Sequence, residues 1–225
     1  MMSGNPYRNP AGNKLFTLMW LATSMVLAYP LLSFPKGTIE LAVNQHHHPA
    51  LDFAFRYLTY LGDGTLLLIL LAATLLYNYR LFILTGLTAI ILSLSMLVFK
   101  QWLFNGLPRP RAFFGDTVSL HFVEGVEVYY ANTFPSGHTA TAFAMAAILA
   151  SLLGKDKKTM TAVLFILACL AGFSRVYLMQ HFLVDVFAGA AVGLLSHWIA
   201  RVVYYSLMRH SDPGLRGGLL RRIKA

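Results

Sequence analysis

His181 and Asp185 stand four residues apart, a spacing that puts both on one face of a helix. An aspartate that accepts one ring N–H fixes the tautomer of a histidine and leaves its other nitrogen free to attack. Six residues before His181 stands Arg175, whose planar fork suits the oxygens of a phosphate. A buried structural ion pair would use the same His–Asp spacing, so the pair alone does not decide its role. Upstream, Pro135-Ser136-Gly137-His138 precedes a long apolar run and reads as a helix start. Such a start offers free backbone N–H groups and the positive end of the helix dipole, and Gly137 lets an anion approach the backbone. A simple helix cap is the ordinary alternative. Lys100 and Arg109-Pro110 add two more cations. Unit charges of like sign ~4 Å apart cost about 4 kcal/mol at an effective dielectric of ~20. With Asp185 as the obvious counter-charge, Lys100, Arg109 and Arg175 would repel when brought together, and a dianion such as phosphate would relieve the repulsion.

The elements that must position these residues are helices in a membrane. The chain has 225 residues, 57% hydrophobic and only 12% charged, where a soluble domain carries about 25% charged residues. Disorder is excluded, and a net charge of +9 reads as loop charge plus an anion site rather than nucleic-acid binding. The single cysteine, Cys169, excludes a disulfide framework. Six apolar stretches, Leu15–Phe34, Leu58–Tyr77, Leu81–Leu103, Pro135–Leu153, Thr159–Tyr177 and Phe182–Leu207, each approach the ~20 residues that a membrane-crossing helix needs. Gly62-Asp63-Gly64 interrupts the second. The expectation is an all-α polytopic membrane protein: one domain over residues 1–225, with six transmembrane helices in one bundle. The chemistry-bearing residues then fall at the outer ends of spans three to six, at one depth of the membrane, although they run over 86 residues of sequence.

Lysine and arginine set the orientation. With the N-terminus inside, twelve cations fall on the inner side (Arg8, Lys14, Arg80, Lys155, Lys157, Lys158, Arg201, Arg209, Arg216, Arg221, Arg222, Lys224) and six on the outer. Both termini are expected in the cytoplasm, with the first span a retained signal anchor. The tail 208–225, basic with interspersed leucines, is expected to lie on the anionic inner leaflet. The long outer loops, Pro35–Tyr57 and Phe104–Phe134, are where function concentrates.

Other residues carry less. Three adjacent histidines, His46-His47-His48, do not face one way from a loop, so they read as a solvated turn before Pro49, and no metal or cofactor is expected. Asp63 is a candidate for the outer mouth. His121, Glu124 and Glu127 read as loop solvation, Tyr129 and Tyr130 as interface anchors, and Arg201 as a snorkelling cation near His197. Ala140, Ala144 and Ala147 suggest close helix packing.

Three segments together resemble the signature of the type 2 phosphatidic acid phosphatase superfamily, the membrane lipid phosphate phosphatases. They are KQWLFNGLPRP (Lys100–Pro110), PSGH (Pro135–His138) and SRVYLMQHFLVD (Ser174–Asp185). The second and third match at every signature position. In the first, the family usually spaces the lysine and arginine two residues closer than the eight found here, and Arg111 could partly exchange roles with Arg109. The resemblance runs over roughly Lys100–Gly193 and implies a metal-free mechanism. His181 would attack phosphorus to give a phosphohistidine, Asp185 would orient it, and His138 would serve as acid and then base. Lys100, Arg109, Ser136, Gly137 and Arg175 would hold the nonbridging oxygens. The two histidines need opposite starting protonation, so a bell-shaped pH profile is expected.

The implied substrate is a lipid phosphate or lipid pyrophosphate: undecaprenyl diphosphate, lipid A, phosphatidylglycerophosphate or phosphatidic acid. The expected setting is a bacterial inner membrane with the active site facing the periplasm. No nucleic acid and no obligate protein partner are expected. Two alternatives stay open on the residues alone: a lipid phosphotransferase with the same site, and a non-catalytic binder or transporter of phosphorylated lipid.

Overall fold

A computed structural model describes residues 10–153 and 157–207. Among these residues it is helical without strands, in the order α1 (Pro10–Ser33), α2 (Thr38–Gln45), α3 (Pro49–Leu58), a 3₁₀ turn (Thr59–Gly62), α4 (Gly64–Tyr77), α5 (Tyr79–Leu97), a π-helical turn (Val98–Leu103), α6 (Pro110–Phe114), α7 (Gly137–Leu152), α8 (Lys158–Tyr177) and α9 (Leu183–Leu207). The tail 208–225, Arg8 and Lys155, used above to read orientation, lie outside the described residues.

Local chemistry sets the boundaries. Asn78 leaves one residue between α4 and α5, and its side chain accepts from the N–H groups of Arg80 and Leu81. Asp63 starts α4 by accepting from Thr65 N–H at 2.7 Å, and such caps contribute about 1 kcal/mol each. His48 accepts from Ala50 N–H and starts α3, with Pro49 at the first helical position.

Helix α7 is the axis of the fold. It packs against α1, α4, α5, α8 and α9, and Ala140, Ala144, Ala147, Ile148 and Ala150 are at most 2% exposed. Lipid tails give no hydrophobic drive between helices, so close backbone approach and van der Waals contact must hold the bundle. Gly189 and Gly193 of α9 supply that approach: a Cβ at either would meet the carbonyl oxygen of Ser136 or Ala140 on α7. Large apolar side chains on the outside, among them Met25, Val26 and Leu32 of α1, face where lipid would be.

Among the described residues, four helical stretches are long and apolar enough to cross a membrane: Lys14–Ser33, Tyr79–Leu103, Lys158–Tyr177 and Leu183–Leu207. They lie within two residues of the boundaries expected for spans one, three, five and six, and mark an integral membrane protein. Pro49–Gly62 and Gly64–Tyr77 make a fifth if counted together across a 48° bend. Helicity there begins at Pro49, not Leu58, and α2 and α3 occupy most of what reads in the sequence as the outer loop Pro35–Tyr57. The bend has a cause. Gly62 abuts the backbone carbonyl of His138, leaving no room for a side chain, and Asp63 restarts the helix. Helix α7, at 16 residues, rises about 24 Å. It is short for a crossing of the ~30 Å hydrocarbon core.

Candidate active site

The residues singled out by type and spacing converge where the start of α7, the end of α8, the start of α9 and the loop before α6 meet. The α8–α9 link is tight. Gln180 and His181 both donate their backbone N–H to the Arg175 carbonyl, at 2.9 and 3.1 Å. The fully buried Met179 holds the left-handed region at φ 55°, a costly conformation for a side chain of its size. Arg175 therefore fixes the backbone of His181 with its carbonyl while its guanidinium points elsewhere.

His181 is 1% exposed, and its Nδ1 lies 3.5 Å from Oδ2 of Asp185. That same oxygen accepts from Phe182 N–H at 2.9 Å and from the Thr133 hydroxyl, which also sits 3.4 Å from His181 Nδ1. With Nδ1 turned to the carboxylate, Nε2 is left without a hydrogen-bond partner among the described residues. The start of α9 is held from a further side: Glu40 of α2, 3% exposed, accepts from Leu183 N–H at 2.7 Å.

Two arginines flank the histidine. Arg109, 9% exposed, donates from Nε to Ala131 O at 2.8 Å and from Nη1 to both oxygens of Gln180, backbone at 3.2 Å and side chain at 3.3 Å. Its guanidinium lies 5.0 Å from the Tyr129 ring centre. Arg175 donates to Thr59 Oγ1 at 2.7 Å and reaches Gln180 Oε1 at 3.5 Å, while its buried Nε has no partner. Gln180 thus ties both guanidinium groups to one amide oxygen, and its NH₂ donates to Glu127 O at 2.9 Å. Burial, which disfavours the charged form, pulls Arg109 below its ordinary pKa, and Asp185 opposes that shift.

Lys100 reaches the same place despite the longer spacing. The π-helical turn carries it, its Nζ donates to Asn132 O at 3.2 Å, and its charge is felt at Arg109, Arg175 and Asp185. A turn follows Leu103. There Gly106 takes φ 76°, which favours glycine, and donates to Asn132 Oδ1 at 2.9 Å. Arg111 is turned away into an ion pair with Asp116 at 2.7 Å, so Arg109 is the arginine of this site.

At the head of α7, Ser136 is the N-cap. Its Oγ accepts from the Thr139 hydroxyl at 2.8 Å and the Thr139 N–H at 3.4 Å, and its backbone N–H donates to Asp185 O at 3.0 Å. Both acceptor sites are used and the hydroxyl proton is uncommitted. Space is open where a Gly137 side chain would stand. His138, half-buried, has no hydrogen-bond partner among the described residues, and Asp63 and Arg175 are its charged neighbours.

Sequence reasoning missed Thr133, Gln180, Asn132, Thr59 and Glu40. Gln180 had one readable signal, an amide beside His181 in an otherwise apolar stretch. Neutral polar residues such as Thr133 and Asn132, in a loop full of them, had none. Tyr129, read as an interface anchor, lies against Arg109.

The PAP2 superfamily pattern matches residues 66–209. Over 78 residues the chain is 37% identical to lipid A 1-phosphatase of Porphyromonas gingivalis, covering 33% of this chain and 18% of that protein. Over 76 residues it is 36% identical to phosphatidylglycerophosphatase B of Bacillus subtilis, covering 31% and 37%. The matched stretches therefore span well under half the length of these curated relatives. The fold is similar to the crystal structure of LpxE from Aquifex aeolicus, with TM-score 0.63 and 28% identity over 75% of this chain and 96% of that one. It is also similar to the PAP2 type phosphatidylglycerolphosphate phosphatase of Bacillus subtilis, with TM-score 0.58 and 24% identity over 90% and 100%. The superfamily match takes in every residue of the site from Lys100 to Asp185 and well over half of the chain, which belongs to the PAP2 superfamily.

Proposed function

We propose that the protein is a membrane phosphatase that removes the terminal phosphate of a lipid phosphate or lipid pyrophosphate through a phosphohistidine. The observation that carries this reading is the His181 environment. Nδ1 is engaged by Asp185 and Thr133, Nε2 is unengaged, and three cations stand around the imidazole. Nε2 of His181 attacks phosphorus as the bond from phosphorus to the leaving oxygen breaks, and His138 delivers a proton to that oxygen. Water, deprotonated by His138, then attacks the phosphohistidine, releasing inorganic phosphate and restoring both histidines. Lys100, Arg109 and Arg175, with the Ser136 hydroxyl and the Gly137 N–H, bind the nonbridging oxygens as their charge rises. These cations supply the charge compensation a metal would otherwise give, so the reaction is expected to proceed in chelator.

The six crossings of the sequence reading complete the proposal, with α7 as the short fourth and the α3–α4 pair as the second. Residues 1–225 act as one domain, both termini are cytoplasmic, and the site opens at the outer ends of spans three to six, toward the periplasm of a bacterial inner membrane. An apolar cleft of about 310 Å³ between α4, α7 and α8 begins at Leu61, next to the Gly62 that abuts His138. It supports a substrate with a hydrocarbon tail. Undecaprenyl diphosphate, lipid A and glycerophospholipid phosphates all fit that description, and the names of the relatives favour the latter two.

The test is phosphate release by the detergent-purified protein from a panel of these lipids, with chelator present. Label retained on the protein after an alkaline quench separates an enzyme from a binder or transporter. Product analysis with added lipid or sugar acceptors separates hydrolysis from phosphotransfer. No release from any lipid of the panel overturns the reading.

Two further results are expected. Burial first, and then the charges of Arg109, Arg175 and Lys100, hold the pKa of His181 well below the ordinary histidine value. A lowered pKa means that protonation, and loss of the nucleophile, comes only at lower pH. The acid limb of kcat/KM should therefore lie below the ~6.5 of a free imidazole. An acid limb at or above that value would count against the assignment. Second, Gln180→Leu removes the acceptor shared by Arg109 and Arg175. Hydrogen bonds to charged groups contribute about 1.5–3 kcal/mol, so kcat/KM should fall roughly ten- to a hundredfold. The loss should appear mainly in KM, because the nucleophile and its carboxylate are untouched.

A further inference from the structure

The three adjacent histidines do face three ways, and one of them meets partners from distant sequence. His46 Nδ1 lies 2.7 Å from Ala42 O, and His48 caps α3. His47 instead stacks on His121, with ring centres 3.8 Å apart and planes 11° from parallel. His121 Nε2 is 2.9 Å from Asp52 Oδ2. One ligand atom from each of His47, Asp52 and His121 lies within 4.8 Å of the others. The cluster stands apart from the phosphate site and plays no part in the chemistry above.

We propose that His47, Asp52 and His121 bind a divalent transition-metal ion, zinc being the natural fit, as a clamp between the α2–α3 segment and the loop that leads to α7. Two imidazole nitrogens and one carboxylate oxygen are a donor set that zinc takes readily. Metal–ligand bonds of about 2.0–2.1 Å at tetrahedral angles hold donors roughly 3.3 Å apart. The His121–Asp52 contact needs to open by only a few tenths of an ångström to admit the ion in place of the shared proton, and the exposed His47 ring must turn out of its stack on His121 to aim a nitrogen at the same point. His47 is exposed, so water can take the fourth position.

The surroundings are those of a supported site. Asp52 Oδ1 accepts from the Tyr177 hydroxyl at 2.5 Å, which leaves Oδ2 aimed at His121. Outer partners of this kind orient ligating carboxylates. His121 is pinned by its backbone: Asn44 Nδ2 donates to His121 O at 2.8 Å, and His121 N–H donates to Asn44 Oδ1 at 2.9 Å. Two of the three donors are thus fixed before any ion arrives. Tyr177 belongs to the end of α8, two residues from Arg175. The His121 loop runs on to Glu127, Ala131, Asn132 and Thr133, whose oxygens hold Gln180, Arg109, Lys100 and Asp185 in turn. An ion here would stiffen that loop from outside the site.

The experiment uses the full chain in detergent, freed of any affinity tag, stripped with chelator and then titrated with zinc chloride. About one zinc per chain is expected by calorimetry and by metal analysis after desalting. Binding should persist in His46→Ala and weaken at least tenfold in His47→Ala and in His121→Ala. His47 is exposed, so its replacement leaves the fold intact, and far-ultraviolet circular dichroism checks His121→Ala. Zinc at about a hundredfold over its Kd should raise the thermal midpoint of the wild-type protein by roughly 5 °C or more, and leave that of His47→Ala unmoved. No bound zinc, or zinc retained equally by His47→Ala and His121→Ala, overturns the proposal. Both readouts are independent of turnover, so the phosphatase reading stands or falls separately.

Discussion

His181→Ala is expected to lower turnover on a lipid phosphate by about 10⁴-fold or more, an effect of the size seen when a covalent nucleophile is removed. The loss should fall on kcat. Lys100, Arg109 and Arg175 stay in place, and their hydrogen bonds run to Asn132, Ala131, Gln180 and Thr59 rather than to the imidazole. Substrate affinity should therefore change by less than about tenfold, in line with an interaction made in the transition state and not in the ground state. Stopped assays with radiolabelled substrate and an alkaline quench should find label on the wild-type chain and none on the variant. A variant that keeps a tenth of the wild-type turnover, or that still takes up label, would sink the assignment of His181 as nucleophile. Stability is not expected to carry the effect, because the backbone of His181 is held by the Arg175 carbonyl whatever its side chain.

The second large effect is expected from Asp185→Asn, a loss of about 10³-fold in kcat, or roughly 4 kcal/mol of transition-state stabilisation. Oδ2 of Asp185 faces three groups at once: the Thr133 hydroxyl, the Phe182 N–H and His181 Nδ1. An amide oxygen in that place can still accept, but it carries no charge to stabilise the ring as it becomes positive on attack. An amide nitrogen in that place would face donors and turn the histidine to the wrong tautomer. The fold should survive, since the contact of Asp185 with α7 is through its backbone carbonyl, which accepts from Ser136 N–H. Thermal melting and circular dichroism close to wild type, together with a kcat lowered a thousandfold, is the expected pair of results. A tenfold loss or less would make the His–Asp spacing a structural pair rather than an orienting one.

Most of the candidate site's residues were legible as residues before they were legible as a cluster. Charged and imidazole side chains are rare in an apolar chain, so Lys100, Arg109, His138, Arg175, His181 and Asp185 stand out by contrast with their neighbours. Neutral polar residues do not. Thr133, Asn132 and Gln180 hold those groups through single hydrogen bonds, and nothing in a loop's composition tells such a residue from one that meets water. The second span shows the same limit in the backbone. Its outer half, Pro49–Leu58, carries Asp52 and Arg56 and reads as loop, yet it folds as a helix because one face packs on α8 around Phe55 and Tyr177.

The one-dimensional pattern determined that this protein lives in a membrane as helices, and it picked out the cationic and imidazole side chains that the fold then brings together. Apolar length and charge contrast are local quantities that survive without coordinates. Tertiary structure decided which atoms face one another: that Nδ1 and not Nε2 of His181 meets Asp185, that Gln180 ties two guanidinium groups together, that Arg111 is turned outward, and that His47 meets His121 across the fold. Gln180 with Arg109 and His47 with His121 are contacts between segments far apart in the chain, and His181 meets Asp185 where the α8–α9 turn places it, against α7 as the three helices cross. Packing fixes that crossing, through the glycines that let α7 and α9 touch, and no spacing in the sequence encodes the angle at which they do so.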